Sequence, residues 1–352
     1  MKKKILALVM ATVMVLSLAA CGGKEEAPAA KEETKTEAPA AKEEAKTEDP
    51  KSVTTLKFNT VQTSSDPKVA WYTEWLDEIA AASNGTVDYE MYVAEALGGS
   101  ADVLEMATMG QPVVQDCDFS YIASYVPDFA VAMSPYLFTS PEQIKTFWKS
   151  DIGQELCAEL EAQGLRLLNV HYFGTRNVLC NAEVKSRADF GKLKLRCAAT
   201  PMWNEVVRVL GGNAVNTAWS ETYQALSQGV ADGAESPMNL LYSSKLYEPC
   251  KYLIRTEHLV AATCVVMSQE VYENLPAEGK AALDEVGTSF SDTVIPLQKA
   301  AEAEYEQMLI DEGVKIVEIA KDEFIEAAAS TPDYFPEWTE GLYERCREAL
   351  NG

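Results

Sequence analysis

Residues 54–93 read TTLKFNTVQTSSDPKVAWYTEWLDEIAAASNGTVDYEMYV, and this stretch decides the fold class. Its first six residues alternate polar and apolar side chains, which predicts a strand. Trp71, Trp75 and Ile79 then recur at the four-residue spacing of a helix, which the following Asn-Gly pair ends. A second alternating run begins at Val87 and predicts another strand. The folded part of the chain therefore opens as β-α-β.

Strands and helices continue to alternate towards the C-terminus. One helical stretch, residues 277–311, is unusually long and holds only Gly287 and Pro296 as helix breakers. This alternation predicts an α/β architecture with largely parallel sheets. The further strands are predicted at 165–172, 193–197, 250–254, 263–267 and 314–319, and the further helices at 141–163, 201–210 and 220–229, the last of them capped by Ser220.

The length and the net charge of the chain limit the functions that it can have. The chain has 352 residues, enough for two domains, and its 30 Lys and Arg against 54 Asp and Glu give a formal net charge of −24 at pH 7. Residues 51–352 hold 22 basic and 45 acidic side chains, so the folded part carries −23. A polyanion would meet an acidic surface, and no basic block with interleaved aromatics is present, so nucleic acid is excluded as a partner.

The first fifty residues predict a targeting signal followed by a disordered tether. Residues 1–20 combine a basic start with an apolar stretch too short to span a bilayer comfortably, which predicts a lipoprotein signal peptide. Its end, Leu-Ala-Ala before Cys21, resembles a lipobox, in which cleavage leaves Cys21 as a lipid-modified N-terminus; an ordinary secretory cleavage site is the alternative. Residues 21–50 contain no aromatic, Leu, Ile or Val, which predicts a disordered tether.

The eight cysteines do not indicate a metal site. They form no Cys-x-x-Cys, and the chain has only two histidines, so no zinc-ligand spacing is present and no metal or other cofactor is expected. If Cys21 is lipidated, seven cysteines remain, an odd number that cannot pair completely. Most are expected to be buried as small apolar side chains, and a Cys180–Cys197 disulfide stays an alternative if their strands are adjacent.

Motifs for catalysis are missing from the sequence. It has no Gly-x-Ser-x-Gly, no phosphate-binding Gly-rich loop with Lys-Ser/Thr, no His-Glu-x-x-His, and no Gly-x-Gly-x-x-Gly after the opening strand. His171 and His258 are the only side chains whose unperturbed pKa lies near neutrality. The chain is therefore expected not to be an enzyme, and an extracellular hydrolase is the remaining enzymatic alternative.

Two arginines follow or end predicted strands. Arg176 lies just after the strand 165–172, and Arg196 lies near the end of the strand 193–197. Ligands of open α/β sheets bind at the carboxyl ends of strands, and a guanidinium presented there can hold a carboxylate through two parallel hydrogen bonds. A surface or salt-bridged arginine is the alternative for either residue, and spacing alone does not separate the two.

Several stretches together resemble the DctP-type substrate-binding proteins of tripartite ATP-independent periplasmic (TRAP) transporters. The longest runs from Lys192 to Pro237 and contains KLKLR and then ETYQALSQGVADGAESP. The similarity extends in the family's order from about Val53 to Asp311. The other matching stretches are Leu97-Gly98-Gly99, Ser134-Pro135-Tyr136-Leu137-Phe138, Gly174-Thr175-Arg176, Ser243-Ser244-Lys245-Leu246-Tyr247-Glu248 and Lys251-Tyr252-Leu253.

The resemblance implies a periplasmic-binding-protein-like α/β fold, with two α/β lobes, a hinge and a long C-terminal connecting helix. Lobe I is expected to comprise residues 51–173 and about 262–301, and lobe II residues 174–261 and about 302–352. Such a protein closes over a small organic acid and delivers it to the membrane permease subunits of a TRAP transporter. It is expected to be an extracytoplasmic monomer, held at the membrane by its lipid anchor alone.

The resemblance also implies roles for residues of the second lobe. In this family the arginine of the Lys-Leu-Arg strand grips the ligand carboxylate, here Arg196, and the arginine after the Gly-x-Arg turn, here Arg176, assists. An aromatic before the Ser-Glu-x-Tyr helix lines the pocket, which implies Trp219, although a core position is its alternative. Many relatives have Asn where this chain has Ser236, so a different ligand preference is expected. Asn239 is expected to substitute for that amide, with a helix-start role as its alternative.

From the first lobe, the expected contributors are Asn59, Asp66, Asp118 and Tyr121. A carboxylate that faces an acidic ligand repels it, so Asp66 or Asp118 fits the pocket only by accepting hydrogen bonds from hydroxyl or amino groups. This favours a hydroxylated acid such as a uronate or an aldonate. The alternative is that either Asp merely caps a turn.

Two further binding functions fit the same sequence. A solute receptor of an ATP-driven importer shares the tether and the two-lobed fold. A ligand-sensing module that docks on a signalling receptor would bind the same acid and require no transporter.

Overall fold

The computed structural model describes residues 52–351, with side-chain burial assigned to residue 350. The predicted signal peptide, the lipidation site at Cys21 and the tether therefore lie outside the described residues. Within the described part, no helix is both long and apolar enough to cross a membrane. The strands are β1 (Thr54–Asn59), β2 (Val87–Tyr92), β3 (Val113–Cys117), β4 (Leu165–Cys180), β5 (Lys194–Cys197), β6 (Asn213–Asn216), β7 (Gly233–Ser236), β8 (Tyr252–Ser268) and β9 (Lys315–Glu318).

Helices pack on the sheet formed by these strands. Short 3₁₀ segments at 127–133, 187–192, 219–221 and 331–334 add to the α-helices. The α-helices are α1 (Pro67–Ala82), α2 (Ser100–Thr108), α3 (Phe119–Ile122), α4 (Pro141–Lys149), α5 (Asp151–Ala162), α6 (Pro201–Leu210), α7 (Thr222–Ser227), α8 (Met238–Ser243), α9 (Gln269–Asn274), α10 (Ala277–Asp311), α11 (Asp322–Ala328) and α12 (Leu342–Asn351).

The described strands form one mixed sheet in the order β2-β1-β3-β8-β4-β7-β5-β6, with β9 paired to β8. The outer pairs β1/β2, β1/β3, β5/β6, β5/β7 and β8/β9 are parallel, as the alternation of strands and helices predicts. The central pairs β3/β8, β4/β8 and β4/β7 are antiparallel, so the prediction of largely parallel sheets is wrong at the centre. Two parallel α/β halves thus flank an antiparallel ribbon.

The opening β-α-β unit is confirmed. The side chain of Asp66 caps the N-terminus of α1 by accepting from the Lys68 N–H at 2.9 Å, and Pro67 occupies the first turn. The helix buries Trp75, whose ring centroid lies 5.1 Å from that of Phe290 in α10. Asn84, the first residue of the predicted Asn-Gly pair, adopts φ 54°. This left-handed conformation prevents α1 from continuing.

Strands β4 and β8 are much longer than the sequence predicts. The predicted strands at 250–254 and 263–267 are parts of β8, and the predicted strand 165–172 continues to Cys180 as β4. The register between them shifts most between Arg176, opposite Leu259, and Val178, opposite Ile254. This bulge lies where the two halves of the sheet meet, and bulges of this kind bend and re-aim a strand.

The long helix α10 confirms the predicted connecting helix, because it continues through both Gly287 and Pro296. It packs on β4, on α1 of the first half and on α8 of the second half. A helix held by packing along its length tolerates a proline that an isolated helix would not.

Three local predictions differ from the structure. The helix 141–163 is divided, because Ser150 adopts an extended conformation between α4 and α5 and its hydroxyl caps α5. Ser220 does not cap a helix; it lies inside a 3₁₀ segment, and α7 begins at Thr222. Cys180 and Cys197 do not form a disulfide, since β7 lies between their strands, and the cysteines of the described part are all free.

The predicted lobe boundaries stay a prediction. Strands β4 and β8 each run through both halves of the sheet, which fits a chain that crosses between lobes near Phe173 and Ala262. The C-terminal helix α12 packs against α4, and Arg345 pairs with Glu155 of α5 at 2.9 Å. The end of the chain therefore contacts helices of the first half, although the sequence places it in lobe II.

Candidate functional site

A buried cavity of about 60 Å³ lies where the two halves of the sheet meet, and we call it the inner cavity. Strands β1, β3 and β5 all end at it, because Val61, Asp118 and Ala198 of its wall follow those strands directly or after one residue. This is the position that ligands occupy in open α/β sheets. Its lining residues are Val61, Ser100, Asp116, Cys117, Asp118, Tyr121, Phe173, Arg176, Arg196, Ala198, Trp203, Trp219, Leu240, Ala262 and Thr263.

Arg196 is buried in the wall of the inner cavity without an ion-pair partner. Its side chain is 4% exposed, and its Nε and Nη2 donate to the Thr217 carbonyl oxygen at 3.1 and 2.6 Å. Within residues 52–350, no carboxylate oxygen forms an ion pair with it, and its Nη1 makes no hydrogen bond. Burial lowers the pKa of the guanidinium. The side chain therefore offers an uncompensated positive charge and a free N–H edge.

Trp219 lies against this arginine. Its ring centroid is 5.1 Å from the Arg196 Cζ, which is cation–π contact distance, and its Nε1 donates to the Ser244 hydroxyl at 3.3 Å. Trp219 is half-buried and lines the inner cavity, where the resemblance to TRAP binding proteins implied it. The indole gives the cavity a flat apolar wall beside its charged one.

Arg176, in contrast, is paired within the protein. Its Nε and Nη2 donate to the two Glu235 carboxylate oxygens at 2.5 and 2.8 Å. Burial alone would raise the pKa of Glu235, but Arg176 and the hydrogen bond from His258 outweigh it and hold that pKa at about 2. Burial also lowers the pKa of His258, so the neutral ring donates from Nε2 to Glu235 at 3.3 Å and accepts at Nδ1 from Thr256. The Arg176 charge is therefore compensated by a buried carboxylate.

The first half of the sheet contributes Asp118 and Tyr121, as predicted. Asp118 caps α3: one carboxylate oxygen accepts from the Ser120 N–H at 2.9 Å and from the Ser120 hydroxyl. Its other oxygen accepts from Trp203 Nε1 at 3.0 Å. Burial raises the pKa of Asp118 and, beside this carboxylate, that of Tyr121. Asp118 thus caps a helix and lines the cavity at once, and its contact with a ligand stays a prediction.

Asp116 is a second carboxylate of the cavity wall. Its two oxygens accept from the Thr60 hydroxyl at 2.7 Å and from the Thr263 hydroxyl at 3.1 Å. Because it is buried, its pKa rises to about 6 despite these hydrogen bonds. The side chain therefore becomes protonated as the pH falls through about 6, which removes its repulsion towards an acidic ligand only below neutral pH.

Asp66 and Asn239 do not line the cavity but bond to each other. Asn239 donates to the Asp66 carboxylate at 2.9 Å and accepts from Gln298 of α10 at 3.0 Å. The buried Lys68 ammonium in turn donates to the Gln298 side-chain oxygen, and burial lowers its pKa. We call Asp66, Lys68, Asn239 and Gln298 the α1–α8–α10 network. It joins the two halves of the sheet to the connecting helix.

Asn59 and Ser236 also lie outside the cavity lining. Asn59 is fully buried and donates to Gln115 at 2.8 Å and to the Gly98 carbonyl at 3.1 Å. Ser236 is fully buried, and its hydroxyl has no hydrogen-bond partner within the described residues. Of the nine predicted binding residues, the structure brings together Arg176, Arg196, Trp219, Asp118 and Tyr121 around the inner cavity.

Sequence reasoning missed Trp203 and Phe173. Both line the inner cavity, and their rings face the Arg176 Cζ at 4.5 and 5.7 Å. Phe173 directly precedes the Gly-Thr-Arg turn, and Trp203 lies in the first turn of the helix after the Arg196 strand. An aromatic next to either arginine motif is the signal that would have identified them.

A second, larger cavity of about 650 Å³ adjoins the inner one and shares Ser100 and Tyr121 with it. We call it the outer cavity. Hydroxyl, amide and apolar side chains line it together with the carboxylates Glu95, Glu221 and Glu337, and no lysine or arginine is among its lining residues. Among the described residues, no cluster of His, Cys, Asp and Glu could hold a metal ion.

Comparison with known proteins gives a consistent result. The model of the DctP family, described as bacterial extracellular solute-binding protein, family 7, matches residues 58–336. The sialic acid-binding periplasmic protein SiaP of Vibrio cholerae is 27% identical over 256 residues, 71% of this chain and 78% of that protein.

Solved structures of TRAP periplasmic solute-binding proteins share the fold. One from Ochrobacterium anthropi, with bound L-fuconate, has a TM-score of 0.83 and 26% identity, and the match covers 85% of this chain and all of that one. Another from Fusobacterium nucleatum, with bound sn-glycerol-3-phosphate, has a TM-score of 0.81 and 28% identity over 84% of this chain and 97% of that one.

Proposed function

Because the chain belongs to the DctP family of bacterial extracellular solute-binding proteins, we propose that it holds the carboxylate of a small organic acid at Arg196 and delivers the acid to TRAP permease subunits. Members of this family are transport solute-binding proteins that work outside the cytoplasm. The cavity between the two α/β halves suits capture of a small ligand.

The observation that carries the proposal is the environment of Arg196. A buried cation without a carboxylate partner is costly, and a ligand carboxylate supplies the missing charge and accepts from the free N–H edge. Trp219 stacks on the same guanidinium and keeps water from that side. The unpaired buried charge of Arg196 lowers folding stability, but it leaves the guanidinium available to an anion.

Arg176, on β4, assists from another part of the cavity wall. Glu235 occupies its Nε and Nη2, so Nη1 is the edge left for a ligand. Since Glu235 already neutralises most of its charge, Arg176 orients a carboxylate more than it attracts one. The folded part carries a net charge of −23 and therefore repels an anionic ligand at long range. Affinity consequently depends on the desolvated contact with Arg196.

Ligand binding is coupled to closure of the two halves of the sheet, because both halves contribute residues to the cavity wall. Asp118 and Tyr121 come from the first half of the sheet, whereas Arg196 and Trp219 come from the second. A ligand that contacts both halves stabilises the closed state by its extra contacts there. A hydroxylated acid such as a uronate or aldonate remains the proposed subclass, supported by the relative with bound L-fuconate and by Asp118 in the wall; Asp66 no longer supports it.

The test is a thermal-stability screen of the full-length chain with carboxylates of several classes, namely hydroxy acids, keto acids, dicarboxylates, aldonates, uronates, sialic acid and amino acids. A ligand at about a hundredfold its dissociation constant adds roughly 2.7 kcal/mol of stability. The amide of the same acid is expected to give no shift.

Arg196→Ala is expected to weaken binding of the stabilising acid by about 2–5 kcal/mol, because a buried charge pairing is lost. Arg255→Ala is the matched control, since Arg255 pairs with Glu306 and Glu318 outside both cavities. Equal affinity of Arg196→Ala and wild type would overturn the arginine contact. A screen without any responding carboxylate would overturn the proposed function.

We also propose that Cys21 carries a lipid that anchors the protein, which supplies its only contact with the membrane, and that the protein acts as a monomer. The lipobox-like run before Cys21 supports the anchor. Cys21→Ser is expected to move the chain from the membrane fraction to the soluble fraction and to abolish labelling by a palmitate analogue. Retention of both would contradict the anchor.

A further inference from the structure

We propose that the outer cavity holds the end of the ligand that lies away from Arg196, and that its glutamates restrict the ligand to hydroxylated acids with a single carboxylate. This inference rests on the proposed function and narrows it. An aldonate or a uronate is accepted, whereas the diacid of the same sugar is rejected.

The two cavities meet beside Arg196. Ser100 and Tyr121 line both of them, and Thr217, whose carbonyl oxygen accepts from Arg196 Nη2 at 2.6 Å, lines the outer one. One water-sized group needs roughly 10–15 Å³, so the inner cavity of about 60 Å³ has room for only part of a sugar acid. A six-carbon acid bound at Arg196 therefore extends into the outer cavity, where about 650 Å³ is available.

Two carboxylates are held near this junction. Glu221 Oε2 accepts from the Ala218 N–H at 3.3 Å, and Glu95 Oε2 accepts from the Ser220 N–H at 3.1 Å. Both N–H groups lie within three residues of Thr217 in the chain. The two carboxylates therefore bond to the same backbone segment that Arg196 contacts from the other side.

The outer cavity offers no cation to a second ligand carboxylate. Glu337 adds a third carboxylate to its wall, and no lysine or arginine is among the described residues that line it. Arg196, at the junction, has one free N–H edge, which a single carboxylate fills. A carboxylate at the far end of the ligand would face like charges and find no partner.

Hydroxyl groups suit the same wall. A ligand hydroxyl donates to a glutamate carboxylate and accepts from a side-chain hydroxyl, and both kinds of group line the outer cavity. The hydroxyls are supplied by Ser120, Ser124 and Thr200, among others. The wall therefore favours a polyhydroxylated, uncharged distal end.

The experiment compares acids that differ at the distal end alone. Gluconate and glucarate have the same carbon chain, but glucarate ends in a second carboxylate where gluconate has a primary alcohol. Galactonate and galactarate form a second pair, and galacturonate is the uronate of that series. Affinities are measured by calorimetry with the full-length chain. The better monoacid is expected to bind about tenfold or more tightly than its diacid, because like charges brought together across an interface cost at least that much.

Variants test whether the glutamates cause this preference. The triple variant Glu95→Gln, Glu221→Gln and Glu337→Gln keeps the size of the side chains and removes their charges. It is expected to reduce the monoacid-to-diacid ratio by about tenfold, by strengthening the binding of the diacid. Each single variant gives part of this effect if the triple variant does not fold. Glu142→Gln removes an exposed carboxylate that pairs with Lys299 outside both cavities and is expected to leave the ratio unchanged.

Three results would overturn the inference. These are diacids that bind as tightly as their monoacids, a ratio that the glutamate variants leave unchanged, and binding of other acids but of no aldonate or uronate. In each case the proposed function still stands if Arg196→Ala weakens the binding that is observed. If no carboxylate binds at all, the proposed function fails, and this inference fails with it.

Discussion

Two arginines line the inner cavity, one from β4 and one from β5, and their surroundings differ. On β4, Arg176 makes a bidentate pair with the buried Glu235, which also accepts from His258. On β5, Arg196 bonds to the Thr217 carbonyl and contacts the Trp219 ring but has no carboxylate partner within the described residues. Both side chains are more than nine-tenths buried.

This difference separates two buried charges by their partners. Glu235 supplies the counter-charge for Arg176, so that arginine holds two strands together. No carboxylate of the described residues pairs with Arg196, which is why we propose a ligand carboxylate as its partner. Burial alone would have ranked the two residues equally.

The largest expected effect on stability follows from removal of the Arg176 counter-charge. Glu235→Ala is expected to lower the free energy of unfolding by about 3–5 kcal/mol, because it leaves a buried guanidinium unpaired. Chemical denaturation measures the change. Glu306→Ala, which breaks a more exposed pair with Arg255, is the control and is expected to cost less than about 1 kcal/mol.

Arg196→Ala sharpens the same comparison. It is expected to change the free energy of unfolding by less than about 1.5 kcal/mol, since it gives up hydrogen bonds to a single carbonyl. Equal destabilisation by Glu235→Ala and Arg196→Ala would show that the surroundings of the two arginines contribute equally to folding stability.

Asp116 extends the comparison to the carboxylates of the site. Glu235 has a pKa of about 2 beside an arginine, whereas Asp116, held by hydroxyls alone, has a pKa of about 6 against an ordinary 3.8. Because the folded state binds the Asp116 proton more tightly than the unfolded state, its contribution to stability falls as pH rises from about 4 to about 6, by roughly 3 kcal/mol.

Asp116→Asn is therefore expected to flatten the pH dependence of unfolding in that window, as followed by denaturation at a series of pH values. Asp88→Asn, at an exposed position of β2, is the control and is expected to leave the slope as in wild type. A slope that Asp116→Asn does not change would show that this carboxyl ionises without cost.

A further prediction concerns the α1–α8–α10 network. Asn239→Ala removes the bonds to Asp66 and Gln298 and is expected to lower the free energy of unfolding by about 1–3 kcal/mol. The control Asn213→Ala, at an exposed site, is expected to stay within about 0.5 kcal/mol. An unchanged unfolding free energy for Asn239→Ala would mean that water replaces the network at no cost.

Much of the fold is predictable from local sequence. The opening strand and helix, the helix start at Thr200-Pro201 and the long helix from Ala277 all follow from periodicity and capping residues. The merger of two predicted strands into β8 is not predictable in this way, because residues 259–262, between them, pair with β4, which is far away in the sequence. The antiparallel centre of the sheet escaped prediction for the same reason.

The residues of the candidate site likewise divide into those that the sequence identified and those that it did not. The motifs of Arg176, Arg196 and Trp219 resemble those of a known family, and the structure places all three in the cavity wall, while their contact with a ligand stays a prediction. Asp66 and Asn239 were assigned to the ligand, but the structure shows that they bond to each other, since an Asp before a helix-starting proline satisfies that helix first. Nothing in spacing reveals that two such groups meet across the molecule. Trp203 was missed because its partner Asp118 lies in the other half.

Strands β4 and β8 also determine the order in which the chain can fold. β8 pairs with both β3 and β4, and Leu165 of β4 lies opposite Ser268 at the end of β8. Neither half of the sheet is complete until this late segment has been synthesised, and such long-range pairing is intrinsically slow. A chain that ends before Tyr252 keeps an open edge on β3 and another on β4, which are templates for aggregation. The ribbon that joins the two halves of the sheet thus requires that they fold together.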